Sequence, residues 1–169
     1  MKITALEEYG LRCLVQLARH HSEDRPVAIS EIAKAEGLSI QYVGKIMHEL
    51  RRAGLINSLR GIHGGFVLAK APQEISIADI FETMGGETPE HVCSKFSGNQ
   101  TQCVHLGGCS IRSVWSFVMG QVSSVLKRIS LADLIASESS CSSKLNEQHT
   151  QFETNKLPVY PAATEGAAK

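Results

Sequence analysis

Three cysteines, Cys93, Cys103 and Cys109, stand at the spacing C-x9-C-x5-C in a polar, glycine-containing stretch. Thiolates are soft ligands, suited to iron–sulfur clusters and to zinc, and an irregular loop can fold three of them round one inorganic core. Three thiolates are one ligand short of a four-coordinate site, and His91 or His105 could complete it for zinc. The same thiols could instead act as a redox pair, Cys93 oxidising with Cys103 or Cys109. The chain has five cysteines. Cys13 falls on an apolar helical stripe and reads as a small buried hydrophobe, and Cys141 as an exposed spectator.

A second constellation lies nearer the N-terminus. Ser39, Gln41, Tyr42 and Lys45, with His48 one turn later, occupy the non-core positions of a short helix. Gln pairs with the N6 and N7 edge of adenine, and Ser or Lys can read several base edges. Arg51 and Arg52 at the far end of that helix are placed for phosphates. The segment Arg60-Gly61-Ile62-His63-Gly64-Gly65 reads as a hairpin tip. Its glycines would let backbone approach a duplex, with Arg60 entering a minor groove or meeting phosphate.

The elements that must position these residues are legible from periodicity. Leu6, Tyr9, Cys13, Leu14, Leu17 and Ala18 recur at helical spacing from Thr4 to about His21, and Thr4 with Glu7 forms a capping-box pattern. Ser30 is expected to open a second helix ended by Gly37. Ser39 opens a third, whose apolar face is Ile40, Val43, Ile46, Met47 and Leu50 and whose end is Gly54. LINSLR and FVLAKAP then read as two short strands. Helix, tight turn, helix and basic hairpin in immediate succession form a winged helix-turn-helix pattern, with the helix after the turn directed into the major groove.

Ser76 caps a further helix ended by Gly85-Gly86. The stretch Glu87 to Gly108 has no period of either kind, and a loop of that length is often functional. From Ser110 to about Arg128 an amphipathic helix carries the stripe Ile111, Val114/Trp115, Val118, Val122, Val125 and Ile129. The expected organisation is a winged helix-turn-helix domain at 1–85, a cysteine-bearing loop at 86–109, a long helix with a short following helix at 110–136, and a disordered tail at 137–169. The fold class is mainly α with a small β-hairpin wing.

Formal net charge is zero, yet residues 1–72 hold 10 Lys/Arg against 7 Asp/Glu and the remainder 7 against 10. That asymmetry suits a basic DNA-binding half joined to an acidic half. No apolar run approaches the roughly 20 residues that span a bilayer, and the first residues lack a cleavable apolar core, so a cytoplasmic, reducing setting is expected. No phosphate-binding glycine loop, catalytic carboxylate pair or nucleophile elbow is present, so neither catalysis nor a small-molecule substrate is expected. A protein-recruiting module with incidental DNA contact would instead bind DNA weakly, with steep salt dependence and little sequence preference.

EEYGLRCL, LSIQYVGKIMHELRRAGLINSLRGIHGGFVLAK, ISIADIFETMGG and the three cysteines before a long helix resemble the Rrf-two-type regulators. The resemblance runs from Met1 to about Ala136. It implies a homodimer, the helix from Ser110 crossing its partner, and two heads reading a roughly palindromic operator with half-sites about 34 Å apart. It also implies that Cys93, Cys103 and Cys109 hold a 2Fe–2S or 4Fe–4S cluster with a fourth, non-cysteine ligand. One branch of the family uses a histidine three residues after the third cysteine, where this chain has Arg112. Another uses an acidic residue near the N-terminus of the partner subunit, and Glu8 is the first choice here, His105 and His91 being local alternatives. The nine-residue first gap is longer than usual in the family, which also more often has a proline near Ile62-His63. A cluster with an incomplete thiolate set would sense iron or cluster status, nitric oxide or redox state. Repression by occlusion is expected, since no polymerase-contacting module is evident.

Overall fold

The computed structural model describes residues 3–23, 25–61, 64–85, 103, 105 and 108–154, with side chains through 147. The chain divides into two units, Met1–Ile135 and Ala136–Lys169.

In the first unit, helix α1 (Ala5–Arg19) starts as its sequence requires. The Thr4 hydroxyl accepts from the Glu7 amide, and the Glu7 carboxylate accepts from the Thr4 amide at 2.7 Å. Helix α2 (Ile29–Glu36) starts at Ala28 rather than Ser30. The cap is supplied from inside the helix: the Glu31 carboxylate accepts from the Ala28 amide at 3.0 Å and is held by Arg25. The Ala28 hydrogen bond, then Arg25, depress the Glu31 pKa. Gly37, at φ 65°, supplies the left-handed turn that aims the chain into α3 (Ile40–Arg52), which is capped by Ser39 through the Tyr42 amide.

Strands β1 (Ile56–Leu59) and β2 (Gly65–Leu68) pair antiparallel with Ile56 opposite Leu68 and Leu59 opposite Gly65. Val27, between α1 and α2, adds a bridge on the far side of β2, exchanging both backbone hydrogen bonds with Phe66. No periodic pattern in the sequence marks this one-residue bridge. It explains Gly65: a Cβ there would lie 2.7 Å from the Val27 carbonyl oxygen.

Helix α4 (Ile77–Thr83) is capped by Ser76 with Asp79 reciprocating. Helix α5 (Ser110–Lys127) then leads to a short α6 (Leu131–Ile135). The junction is tied to the start of α4 through Ile77 N–H to Ile129 O and Leu131 N–H to Ile75 O, both 2.8 Å. Leu131 is thereby fully buried with Leu14, Ile32, Val43, Ile46, Met47, Leu50, Ile56 and Ile80. The short helix expected to follow the long one is therefore part of the head's core.

Two expectations are corrected. Ile40, assigned to the buried face of α3, is 56% exposed: it is the first residue of the helix and stands at the edge of the stripe formed by Val43, Ile46, Met47 and Leu50. The second unit, expected as a tail, holds helix α7 (Glu138–Thr154). No Gly or Pro interrupts this segment, and the Ser137 hydroxyl caps it by accepting from Ser140 N–H, so a helix forms without an apolar stripe. Residues 155–169 lie outside the described residues.

Candidate nucleic-acid interface

Helix α3 turns Val43, Ile46, Met47 and Leu50 into the core, which forces the opposite arc outward. Gln41, Lys45, His48, Arg51 and Arg52 all stand exposed on that arc. The Ser39 hydroxyl is already engaged as the helix cap, so further contact from this residue would use its second lone pair or its proton.

Tyr42 is different: it is half-buried, its ring edge-on to Tyr9 of α1 at 5.8 Å. Arg12, also on α1, lies over the Tyr9 ring at 5.6 Å and is paired with Glu8 at 2.7 Å. Tyr42 thus sets the position of α3 against α1 as well as lining its outer face. The sequence could not reveal this, because a tyrosine at that spacing suits either face.

Beyond α3 the basic groups turn toward the hairpin. Arg51 donates to the Ser58 hydroxyl on β1 at 3.3 Å, and Arg52 pairs with Glu49 at 2.7 Å while its side chain stays largely in solvent. Such exposed pairs contribute about 0–1 kcal/mol, so a phosphate can displace them. Arg60 is exposed at the end of β1. Gly61, at φ 120°, opens the tip, and the Gly64 amide closes it by donating to the Gly61 carbonyl at 2.9 Å. Gly64 and Gly65 meet the chain's own backbone closely, at Leu59 and Val27, so their small size is already needed within the fold. His63, expected at the tip, lies outside the described residues.

The cysteine constellation is described only in part. Cys103 and Cys109 are half-buried free thiols, Cys109 immediately preceding α5. Cys93 and His91 lie outside the described residues, and His105 is exposed. Among the described residues no three Cys, His, Asp or Glu side chains gather as a metal site. Glu8 is engaged by Arg12, and Arg112 is exposed in the first turn of α5. Cys13 is fully buried, and burial pushes its thiol pKa up to about 12.

Residues 3–137 match a family described as Rrf2, iron-dependent transcriptional regulator. The chain belongs to the Rrf2 family. It is 33% identical over 141 residues to Protein rrf2 of Nitratidesulfovibrio vulgaris, covering 83% of this chain and 91% of the relative. Among solved structures it is similar to T. potens IscR, with a TM-score of 0.63 and 31% identity over 80% of this chain and 86% of that one. It is equally similar to CymR (YrzC), the global cysteine regulator of B. subtilis, with a TM-score of 0.63 and 30% identity over 80% of this chain and 96% of that one. The Rrf2-family chain is accordingly a DNA-binding transcriptional regulator of winged-helix architecture, and its relatives are regulators rather than enzymes. No helix among its described residues is long and apolar enough to cross a membrane.

Proposed function

We propose that the protein is a homodimeric, cytoplasmic repressor that reads its operator through α3 and the Arg60 wing, with operator affinity set by an iron–sulfur cluster. The observation that carries the DNA-reading part is the exposed arc Gln41, Lys45, His48, Arg51 and Arg52, joined to the hairpin through Arg51 and Ser58. These side chains combine base-reading amides and imidazole with phosphate-binding cations on one face. Dimerisation is supported by α5, which leaves Ile111, Val114, Trp115, Val118 and Val125 exposed along one helix, Ile111 at 66%. A contiguous apolar stripe of this kind marks an interaction surface.

Cys93, Cys103 and Cys109 would hold the cluster, with Glu8 of the partner subunit as fourth ligand. Support comes from the chemistry of three thiolates and from the family's description as iron-dependent. When bound, the cluster supplies a bond network that loss of iron or reaction with nitric oxide would break. The chain's own part is to couple loop order to the spacing of the two heads, which is a shift between two populations of different operator affinity.

A second reading keeps the DNA-binding regulator and replaces the cluster with zinc or a thiol–disulfide switch. The similarity to CymR, the global cysteine regulator of B. subtilis, supports it; the exposed Glu8–Arg12 pair, weak in solvent, does not separate the two readings. One measurement separates the two: the absorption spectrum of protein purified without oxygen, with iron and acid-labile sulfide counted on the same sample. Charge-transfer bands between about 320 and 460 nm with stoichiometric iron and sulfide are expected for the cluster. A colourless protein that stays free of iron after reconstitution overturns the cluster and leaves the zinc or thiol reading.

A further inference from the structure

Most glycines of the head have a reason inside the chain, but Gly44 has none. It sits in the interior of α3 at ordinary helical geometry, and a Cβ built on it meets nothing within 4 Å. Gly10 of α1 makes the contrast, since a Cβ there would run into the Met84 side chain. A glycine in a helix interior is destabilising relative to alanine. Here that loss is offset by no packing and no turn.

The position of Gly44 is informative. It follows Ile40 by one turn, precedes His48 by one turn and lies three residues after Gln41, so, half-buried itself, it lies among the exposed positions of α3 with open space where a side chain would stand. Ile40 beside it is an isoleucine 56% exposed on an otherwise polar and cationic face. An exposed branched apolar side chain next to a missing one forms an apolar notch. Lys45, Arg51 and Arg52 of the same helix stand exposed and add positive charge, which fits a polyanion.

We propose that Ile40 and Gly44 form a specificity element that reads a thymine in the major groove: Ile40 packs on the 5-methyl group, and the bare Gly44 backbone lets α3 approach the base edges closely. The 5-methyl is the one apolar mark on a base-pair edge, and apolar side chains recognise it by contact. This rests on the DNA-reading assignment of α3 above.

The test uses the full-length protein and an operator selected from random duplexes. Each thymine of that operator is then replaced by uracil, which deletes the methyl and leaves base pairing intact. At one thymine per half-site, the replacement is expected to weaken wild-type binding about fourfold, the loss appropriate to one buried methyl. Ile40→Ala should bind thymine and uracil operators alike at that position, because the two changes remove the same contact. Gly44→Ala and Gly44→Leu should raise the melting temperature by a few degrees while weakening specific binding by about tenfold or more. Gain of stability with loss of affinity is a combination that a merely structural role would not produce. Wild-type binding indifferent to uracil at every thymine, or Gly44 variants that bind as tightly as wild type, overturns the proposal while leaving DNA recognition intact. If wild-type protein enriches no sequence at all, the assignment of α3 itself fails, and this inference with it.

Discussion

Helices α3 and α5 are both amphipathic, yet the chain finishes only one of them. The stripe of α3, Val43, Ile46, Met47 and Leu50, is fully buried against α1, α2 and β1, so what α3 offers outward is polar. The stripe of α5 stays exposed at Ile111, Val114, Trp115, Val118 and Val125, while Leu126 and, just past the helix, Ile129 pack partly against the head's core. Equal periodicity in sequence thus leads to opposite outcomes. Periodicity states that a face must be covered; it does not say whether the cover comes from the same chain.

The sharpest way to break this contrast is to damage each stripe separately. Leu50→Ala removes a fully buried side chain and is expected to destabilise the head by about 2–5 kcal/mol. Urea unfolding should show the lower midpoint, with the slope of the transition unchanged. A loss below about 1 kcal/mol would mean that the head's core does not depend on the α3 stripe.

Val118→Asp should do the reverse. Val118 is exposed within one chain, so a carboxylate there costs the isolated head little. Within a dimer it would be a buried unpaired charge. Sedimentation should give a monomer at micromolar concentration, circular dichroism should be unchanged, and operator affinity should fall about 100-fold as the two half-sites lose their linkage. A Val118→Asp protein that still sediments as a dimer would assign the α5 stripe to a different partner.

The same contrast explains what was legible in the sequence. Thr4, Ser39 and Ser76 mark their helices because a hydroxyl or its capping-box partner is a local signal, complete within four residues. Ala28 carries no such signal: Glu31 supplies its cap from inside the helix, and the nearby Ser30 drew the assignment two residues downstream. The Val27 bridge and the burial of Leu131 carry no periodic signal, their placement being fixed by contacts with β2 and with the start of α4; the short helix that holds Leu131 is expected from the sequence, its place in the head's core is not. In the candidate site, the outward arc of α3 followed from its stripe, whereas the burial of Tyr42 and the exposure of Ile40 depend on how α1 crosses α3. Helix α7 shows the converse limit, since an aperiodic sequence free of Gly and Pro can still be helical.

The smallest effect distinguishes the cysteines of the two regions. Cys13 lies in the head's core, and desolvation of its thiolate raises the pKa to about 12. Cys103 and Cys109, which precede α5 in the chain, are half-buried. Since the thiolate is the nucleophile, iodoacetamide at pH 8 should leave Cys13 unmodified in the folded metal-free protein while alkylating Cys103 and Cys109, and should reach Cys13 only after denaturation. Linkage gives the sign for stability. A thiol whose pKa is raised by folding contributes fully below its unfolded value near 9.0 and loses that contribution as pH climbs towards 12. Stability should therefore fall over that alkaline window, and Cys13→Ala should flatten the fall. Alkylation of native Cys13 at a rate matching Cys103 would show that the head opens around α1 readily. The closed core of the head and the open stripe of α5 would then differ in degree rather than in kind.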